Sequence, residues 1–424
     1  MFCDRIFYGI IQVDKNIFGF FNGGLERRVT NLSNELGEKG FSVDIVAVNG
    51  VSRELFFDLH KNVKIVEVNE KEYSVSYADF SKPLKNEDVL SEKPAFSQSN
   101  ASVQNRRSLK KRIRKKIIPL WKKSVMLHKA NRIRFAKIYK DYFREADPDI
   151  IVSFGVNYHE RAVAMAKGKK CRLYDAEMNA HEKMIPQDRV GKRYYYKLLK
   201  RAEGIIVQTH SEKEFFEKDL KKVFVINNPV KPGLPEPYCG KRKKTIVNFC
   251  RVAPQKNLGL LINAFEKFHS DHPEYILEIY GNVHDSVDQN HKNELIKMIE
   301  DKKLSDCAFV LPAVADIHER IIDSAMFVSS SDYEGMSNSM LEAMAIGLPC
   351  ICTDCLGGGT REVITDHENG LIVPMNDSGA MCRAMKEFAE NPELVEKCSK
   401  NAVKIKERLS VDKITDQWLK VIGE

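Results

Sequence analysis

The sequence has no apolar run of the roughly 18 to 20 residues that a membrane-spanning helix needs. It shows no secretory leader either. MFCDRIFYGIIQV carries Asp4 near its start, and no small-residue cleavage site follows its short apolar stretch, so no signal peptide is expected. Ten cysteines are scattered through 424 residues without a disulfide framework, which points to a reduced, cytosolic protein. Their tightest group, Cys350-x-Cys352-x-x-Cys355, begins inside an apolar run and lacks a second ligand pair, so it reads as packing rather than as a zinc site. The one Asp-x-Asp, Asp147-Pro148-Asp149, leads into IIVSF, where helix-terminating turn chemistry explains it.

Acidic residues are absent from one long stretch. Residues 106–137, RRSLKKRIRKKIIPLWKKSVMLHKANRIRFAK, contain 14 Lys and Arg and no Asp or Glu. Without them, 53 basic residues face 59 acidic ones, a net of −6 rather than +8. The positive charge is therefore one local feature. Leu109, Ile113 and Ile117 recur within it at helical spacing, so it reads as a basic amphipathic segment suited to an anionic membrane surface. A solvated helix, a contact with an acidic substrate and nucleic-acid binding are the alternatives. No reader motif or stacking pattern accompanies the charge. The preceding stretch, about 80–105, is polar with little periodicity and reads as a loop.

What is present is a globular composition, 43% hydrophobic and 30% charged, in a chain too long for one core and suited to two domains. Short Val/Ile-rich runs alternate with helical patterns: RIFYGIIQV near the start, then 41–48, 63–68, 149–154, 171–174, 204–209 and 222–226. Leu25, Val29, Leu32 and Leu36 share one face of a helix after the first run. Runs without polar alternation are expected of parallel strands covered on both faces. Residues 229–244, PVKPGLPEPYCGKRKK, interrupt the pattern with four prolines and two glycines, as an interdomain linker would. The alternation then restarts at 245–249, 275–280, 307–311, 325–330 and 349–352. Two tandem α/β units follow, with ligands expected at the carboxyl ends of their strands.

Four stretches fall at such ends. In FFNGGLERRV, Gly23 and Gly24 lie between a strand and a helix, where backbone N–H groups can approach a phosphate or sugar. This is not a GxGxxG. In NFCRVAPQKN, Arg251 and Lys256 leave a strand five residues apart, a spacing that could clamp a diphosphate or simply present two surface cations. In DYEGMSNSMLEAMAIG, Ser337 or Asn338 would cap a helix whose N–H groups can face an anion. Glu334 precedes that positive end and Glu342 projects from within the helix. LGGGTREVI (356–364) is a second glycine loop that opens a helix.

In this order and in these places, the stretches resemble the retaining, nucleotide-sugar-dependent glycosyltransferases of the GT-B fold, the group 1 or family 4-like enzymes. The resemblance covers nearly the whole chain and is strongest from about 245 to 375. It implies two Rossmann-like, doubly wound domains facing across a cleft. Residues 1–230 would be the acceptor-side domain, 231–244 the linker, 245–410 the nucleotide-sugar domain, and 411–424 a helix packing back on the first. EGMSNSMLEAMAIGLPCICTD looks like the family's Glu-x7-Glu motif. The family thereby implies that Glu334 contacts the donor sugar, that Glu342 accepts the ribose hydroxyls, and that Ser337, Asn338 and Ser339 line the donor. Arg251 and Lys256 match the diphosphate-neutralising positions, Gly23 and Gly24 the glycine pair against the donor, and Asn228-Pro229 the Asn-Pro before the linker.

Many members add a histidine from the first domain. Here the corresponding stretch is RLYDAEMNAHEK, with Asp175, Glu177, Asn179 and His181 as candidates beside His159, and Glu177 is taken as the catalytic one. The last loop, GGGTREVI, is one residue longer than the family's Gly-Gly-x-x-Glu form, which leaves the role of Glu362 open. No metal and no cofactor are expected. The resulting expectation is a cytoplasmic enzyme at the inner membrane face that moves a hexosyl unit from a nucleotide sugar, a UDP-sugar, to a lipid-linked or surface-polysaccharide acceptor. The rivals are a catalytically silent subunit that stabilises a partner, and a sugar-nucleotide epimerase on the same fold.

Overall fold

The computed structural model describes residues 7–12, 24–48, 58–68 and 148–423. The basic segment 106–137 and Gly23 therefore lie outside the described residues.

Among the described residues, all strands are parallel and fall into two sheets. The first has seven: β1 (Phe7–Gln12), β2 (Val43–Val48), β3 (Val63–Val68), β4 (Ile150–Phe154), β5 (Arg172–Ala176), β6 (Gly204–Val207) and β7 (Val223–Val225), in the order β3-β2-β1-β4-β5-β6-β7. The second has six: β8 (Lys243–Phe249), β9 (Ile276–Tyr280), β10 (Ala308–Leu311), β11 (Ser324–Ser329), β12 (Cys350–Thr353) and β13 (Leu371–Val373), ordered β10-β9-β8-β11-β12-β13. The unalternated apolar runs have the expected cause: every residue of β4, β6 and β12 is buried, because helices cover both faces. This is the doubly wound α/β architecture of the GT-B fold. β13 was not anticipated, since LIV offers three residues between turns and no period to read.

Strand order reverses between β1 and β4 in one sheet and between β8 and β11 in the other. Such switch points open a crevice beyond the carboxyl ends of the strands. Helix α1 (Gly24–Glu38) leaves the first crevice and buries Val29, Leu32 and Leu36 against the sheet. From the second crevice come a short 3₁₀ turn (Pro254–Lys256) and a helix (Leu258–His269) after β8, and the loop to α2 (Asn338–Ala345) after β11.

The lobes are joined by more than the chain. Arg242, at the end of the linker, donates to the carbonyls of Ile322 (3.1 Å), Ser324 (3.1 Å) and Gly347 (2.6 Å), anchoring the linker to the second lobe. Helix α3 (Val411–Gly423) follows the second lobe and packs on α1 of the first. Its Trp418 is buried, with its ring 6.0 Å from that of Phe154. One apolar core consequently runs through both lobes, and a second belongs to the C-terminal lobe alone.

Candidate functional site

The Glu-x7-Glu spacing becomes two carboxylates at one cleft. Glu334 sits in the loop between β11 and α2. Two close approaches fix that loop. A Cβ on Gly335 would come within 2.0 Å of Gln208 Oε1 and 2.7 Å of the Met178 carbonyl, and one on Gly357 (φ +92°) within 2.1 Å of the Glu334 carbonyl. Only glycine tolerates both positions. Glu334 N donates to the Leu356 carbonyl at 3.0 Å. Ser337 caps α2, its Oγ accepting from Met340 N. Glu342 lies one turn into α2, 5% exposed.

Each carboxylate has a cation. Lys256 Nζ donates to Glu334 Oε1, which also accepts from Ser331 Oγ at 3.1 Å. Burial alone would lower the Lys256 ammonium, but Glu334 outweighs it and holds its pKa above the usual lysine value. Arg27 Nη2, on α1 of the other lobe, reaches Glu342 Oε1 at 2.5 Å, and His318 Nε2 shares a 2.8 Å hydrogen bond with Oε2. Burial pushes the Glu342 carboxyl up, yet His318 and Arg27 overcome it, with Lys231 adding to the effect, so its pKa falls below the usual value and the group is charged at neutral pH. Arg251 stands half-exposed at the end of β8, 3.7 Å from the buried Asp288. The structure thus brings Arg251, Lys256, Glu334, Ser337, Asn338, Ser339 and Glu342 to one switch point. Gly24 opens α1 opposite them.

The N-terminal candidates are arranged differently. Glu177 follows β5, is 2% exposed, and accepts from the Tyr195 hydroxyl at 2.9 Å. Asp175 and His159 are fully buried and meet at Ser153, whose Oγ lies 2.5 Å from Asp175 Oδ1 and 2.8 Å from His159 Nδ1. Burial, with Glu177 next to it, raises the Asp175 carboxyl well above its ordinary value, and burial lowers the His159 imidazole to about 4. These three therefore face the interior of their lobe. Asn179 and His181 lie nearer the cleft. Asn179 is exposed, and its neighbour Ala180 stands against Gly357 of the other lobe. His181 Nδ1 is 2.9 Å from Glu212 Oε1, with its ring stacked on Phe215 at 3.5 Å. With Glu182, His181 and Glu212 form the group of described residues that could hold a metal; the His181–Glu212 hydrogen bond makes them equally an orienting pair.

Glu362 has a part that the longer glycine loop had obscured. Its carboxylate accepts from His210 N at 2.9 Å and Asn227 Nδ2 at 3.2 Å, meeting the first N–H of the helix His210–Phe216 of the opposite lobe, which Thr209 caps.

Comparison with known proteins supports the fold. Residues 239–405 match the sequence profile of Glycosyl transferases group 1. The match covers the end of the linker and the second lobe. An uncharacterized glycosyltransferase of Haemophilus influenzae is 21% identical over 93% of this chain and 95% of its own length. A poly(ribitol-phosphate) alpha-N-acetylglucosaminyltransferase of Staphylococcus aureus is 27% identical over 55% of the chain and 46% of its own length. The chain spans about a quarter to a half of the length of several curated relatives that it matches. Among solved structures, Staphylococcus aureus TarM in complex with UDP, fondaparinux and alpha-GlcNAc-glycerol superposes with TM-score 0.71 at 16% identity, over all of both chains.

Two members of the site escaped the sequence. Arg27 lies in the quoted GGLERRV but carried no assignment, and His318, in ADIHER, had no motif around it. Both are defined by what they meet across the fold.

Proposed function

We propose that this chain is a retaining glycosyltransferase that moves a hexosyl unit from a UDP-sugar to a glycan, polyol-phosphate or lipid-linked acceptor. The observation that carries this reading is the pairing of Lys256 with Glu334 at the switch point, beside Arg251 and opposite Glu342. Relatives named for transfer to poly(ribitol-phosphate), poly(glycerol-phosphate) and a diphospho-undecaprenol glycan support the acceptor class. A neighbour solved with UDP and glucose supports the donor class.

In this reading, Lys256 and Arg251 take the donor diphosphate, the free N–H groups of Asn338 and Ser339 add to its hold, Glu334 accepts from the sugar, and Glu342 accepts from the ribose. Breaking the sugar–phosphate bond builds negative charge on the leaving diphosphate. Preorganised cations stabilise that charge without reorganisation and stand where other transferases use a metal. The acceptor hydroxyl attacks from the face the phosphate leaves, and its proton passes to the departing phosphate oxygen. Asn179 and His181, at the mouth of the first lobe, are placed better than Glu177 to touch the acceptor. Glu177 is then a positioning residue acting through the 177–180 loop. No metal is required, so turnover should survive a chelator.

The test is a panel of nucleotide sugars with nucleotide release as readout. Release that disappears in Glu342→Ala and Arg251→Ala supports transfer. Binding without release favours the silent subunit, and recovery of an epimerised donor favours the epimerase. We further propose that residues 106–137 bring the enzyme to an anionic membrane surface. No described helix is long and apolar enough to cross one. Sedimentation with anionic vesicles should weaken with salt and vanish on charge reversal at Lys110, Lys111, Arg112 and Arg114; persistence after reversal would rule the segment out as the anchor.

A further inference from the structure

Beside Glu342 the two lobes form a shallow groove, open to solvent, lined by Arg27, Arg28, Asn31, Pro229, Lys231 and Asn338. Its charge is unbalanced. Arg27 is matched by Glu342, but that carboxylate is shared with His318 and also feels Lys231. Arg28 fares worse. The one hydrogen-bond partner of its guanidinium among the described residues is the sulfur of Met178, a weak acceptor, and its Nε is buried with no partner at all. Burial, and after it the neighbouring cation Arg27, bring its pKa down to about 9. A partly buried arginine whose Nε has no partner is costly. A cost of this kind, at a cleft and facing a concavity, is what an incoming anion relieves.

We propose that this groove binds a phosphate group of a substrate, with Arg28 and Lys231 as its principal ligands and Arg27 as a shared one. The proposal deepens the function given above and rests on it for which molecules carry the phosphate. Two planar guanidinium forks and an ammonium suit phosphate oxygens, which can accept from several donors at once. The Asn31 amide adds a neutral donor, and Asn338 begins α2, whose free N–H groups lie at the same edge. When the anion draws Arg27 away, Glu342 is left to His318 and to the ribose hydroxyls. Filling the groove therefore favours donor binding. The phosphate can come from the donor diphosphate or from a phosphodiester acceptor.

The experiment uses the full chain and inorganic pyrophosphate as probe, titrated calorimetrically in a Lys256→Ala background so that the Lys256 clamp is silent. Pyrophosphate binding that persists there, and weakens about tenfold or more in Arg28→Gln while Arg28→Lys retains part of it, is the expected result, since hydrogen bonds to charged groups are worth roughly that much. Weakened binding of UDP with unchanged binding of uridine assigns the phosphate to the donor. A raised KM for a phosphodiester acceptor, with UDP binding unchanged, assigns it to the acceptor. If Arg28→Gln does not fold, Lys231→Gln carries the same expectations at a half-buried position. Pyrophosphate, UDP and acceptor all indifferent to these changes would overturn the proposal. Pyrophosphate binding in a protein that turns over no nucleotide sugar would leave the phosphate site standing and remove the transferase reading instead.

Discussion

Two carboxylate pairs, one in each lobe, have the same chemistry and opposite surroundings. Glu334 and Glu342 stand at the C-terminal switch point, each against a cation or imidazole, and the net effect on Glu342 is to favour its charge. Asp175 and Glu177 stand at the end of β5 with Ser153, His159 and Tyr195 around them. There, desolvation wins and Asp175 is pushed towards its neutral form. Glu334 is half-buried and the other three carboxylates are buried, so burial alone does not separate Glu342 from Asp175. The partners do. Under the proposed function, Glu342 accepts from the ribose and is kept charged by His318 beside it and Arg27 across the cleft. A carboxylate that holds a loop in shape can share a proton and stay inside.

The largest effect should come from cutting the C-terminal pairing. Lys256→Ala is expected to lower kcat/KM by about 10² to 10³, the usual loss when one preorganised donor to a developing oxyanion is removed. A loss below about threefold in steady-state kinetics would mean that the diphosphate is gripped elsewhere. Next is Glu342→Gln, which keeps shape but removes the charge that Arg27 and His318 face. It should raise the donor KM by about tenfold with a smaller change in kcat, the pattern of lost ground-state binding.

Asp175→Asn is the counter-test and should leave turnover within about twofold of wild type. Its signature is in stability. A carboxyl whose pKa is raised in the folded state holds a proton that the unfolded chain gives up, so the native protein binds more protons than the unfolded one above the ordinary aspartate range. Stability then falls as pH rises through that window. Thermal unfolding from pH 4 to 8 should show the decline in wild type and a flatter profile in Asp175→Asn; identical slopes would mean that the pair is not proton-sharing. The smallest effect is expected of Glu362→Ala, which removes the side-chain acceptor of His210 N and should cost about 0.5 to 1.5 kcal/mol by denaturant unfolding.

Legibility follows the same divide. The strands were readable because parallel strands buried on both faces leave unbroken apolar runs, and β13 was missed because three residues carry no period. Glu334, Glu342, Arg251 and Lys256 were readable because each sits a short, fixed distance from a strand end. Arg27 was not, because its partner Glu342 is 315 positions away and in the other lobe, and no spacing encodes such a meeting. The N-terminal acid was chosen from four polar residues within seven positions. Which of them faces the cleft depends on where β5 stops, and it stops at Ala176, so that Glu177 turns inward to Tyr195 while Asn179 emerges. His159 had no local cue to its burial.

The most direct measurement is a crystal structure of the full chain with UDP. The account predicts the diphosphate within hydrogen-bond distance of Lys256 and Arg251 and the ribose hydroxyls on Glu342, with Arg27 turned from that carboxylate towards a phosphate oxygen. A nucleotide seated with its phosphates in solvent, and with Lys256 still closed on Glu334, would contradict it.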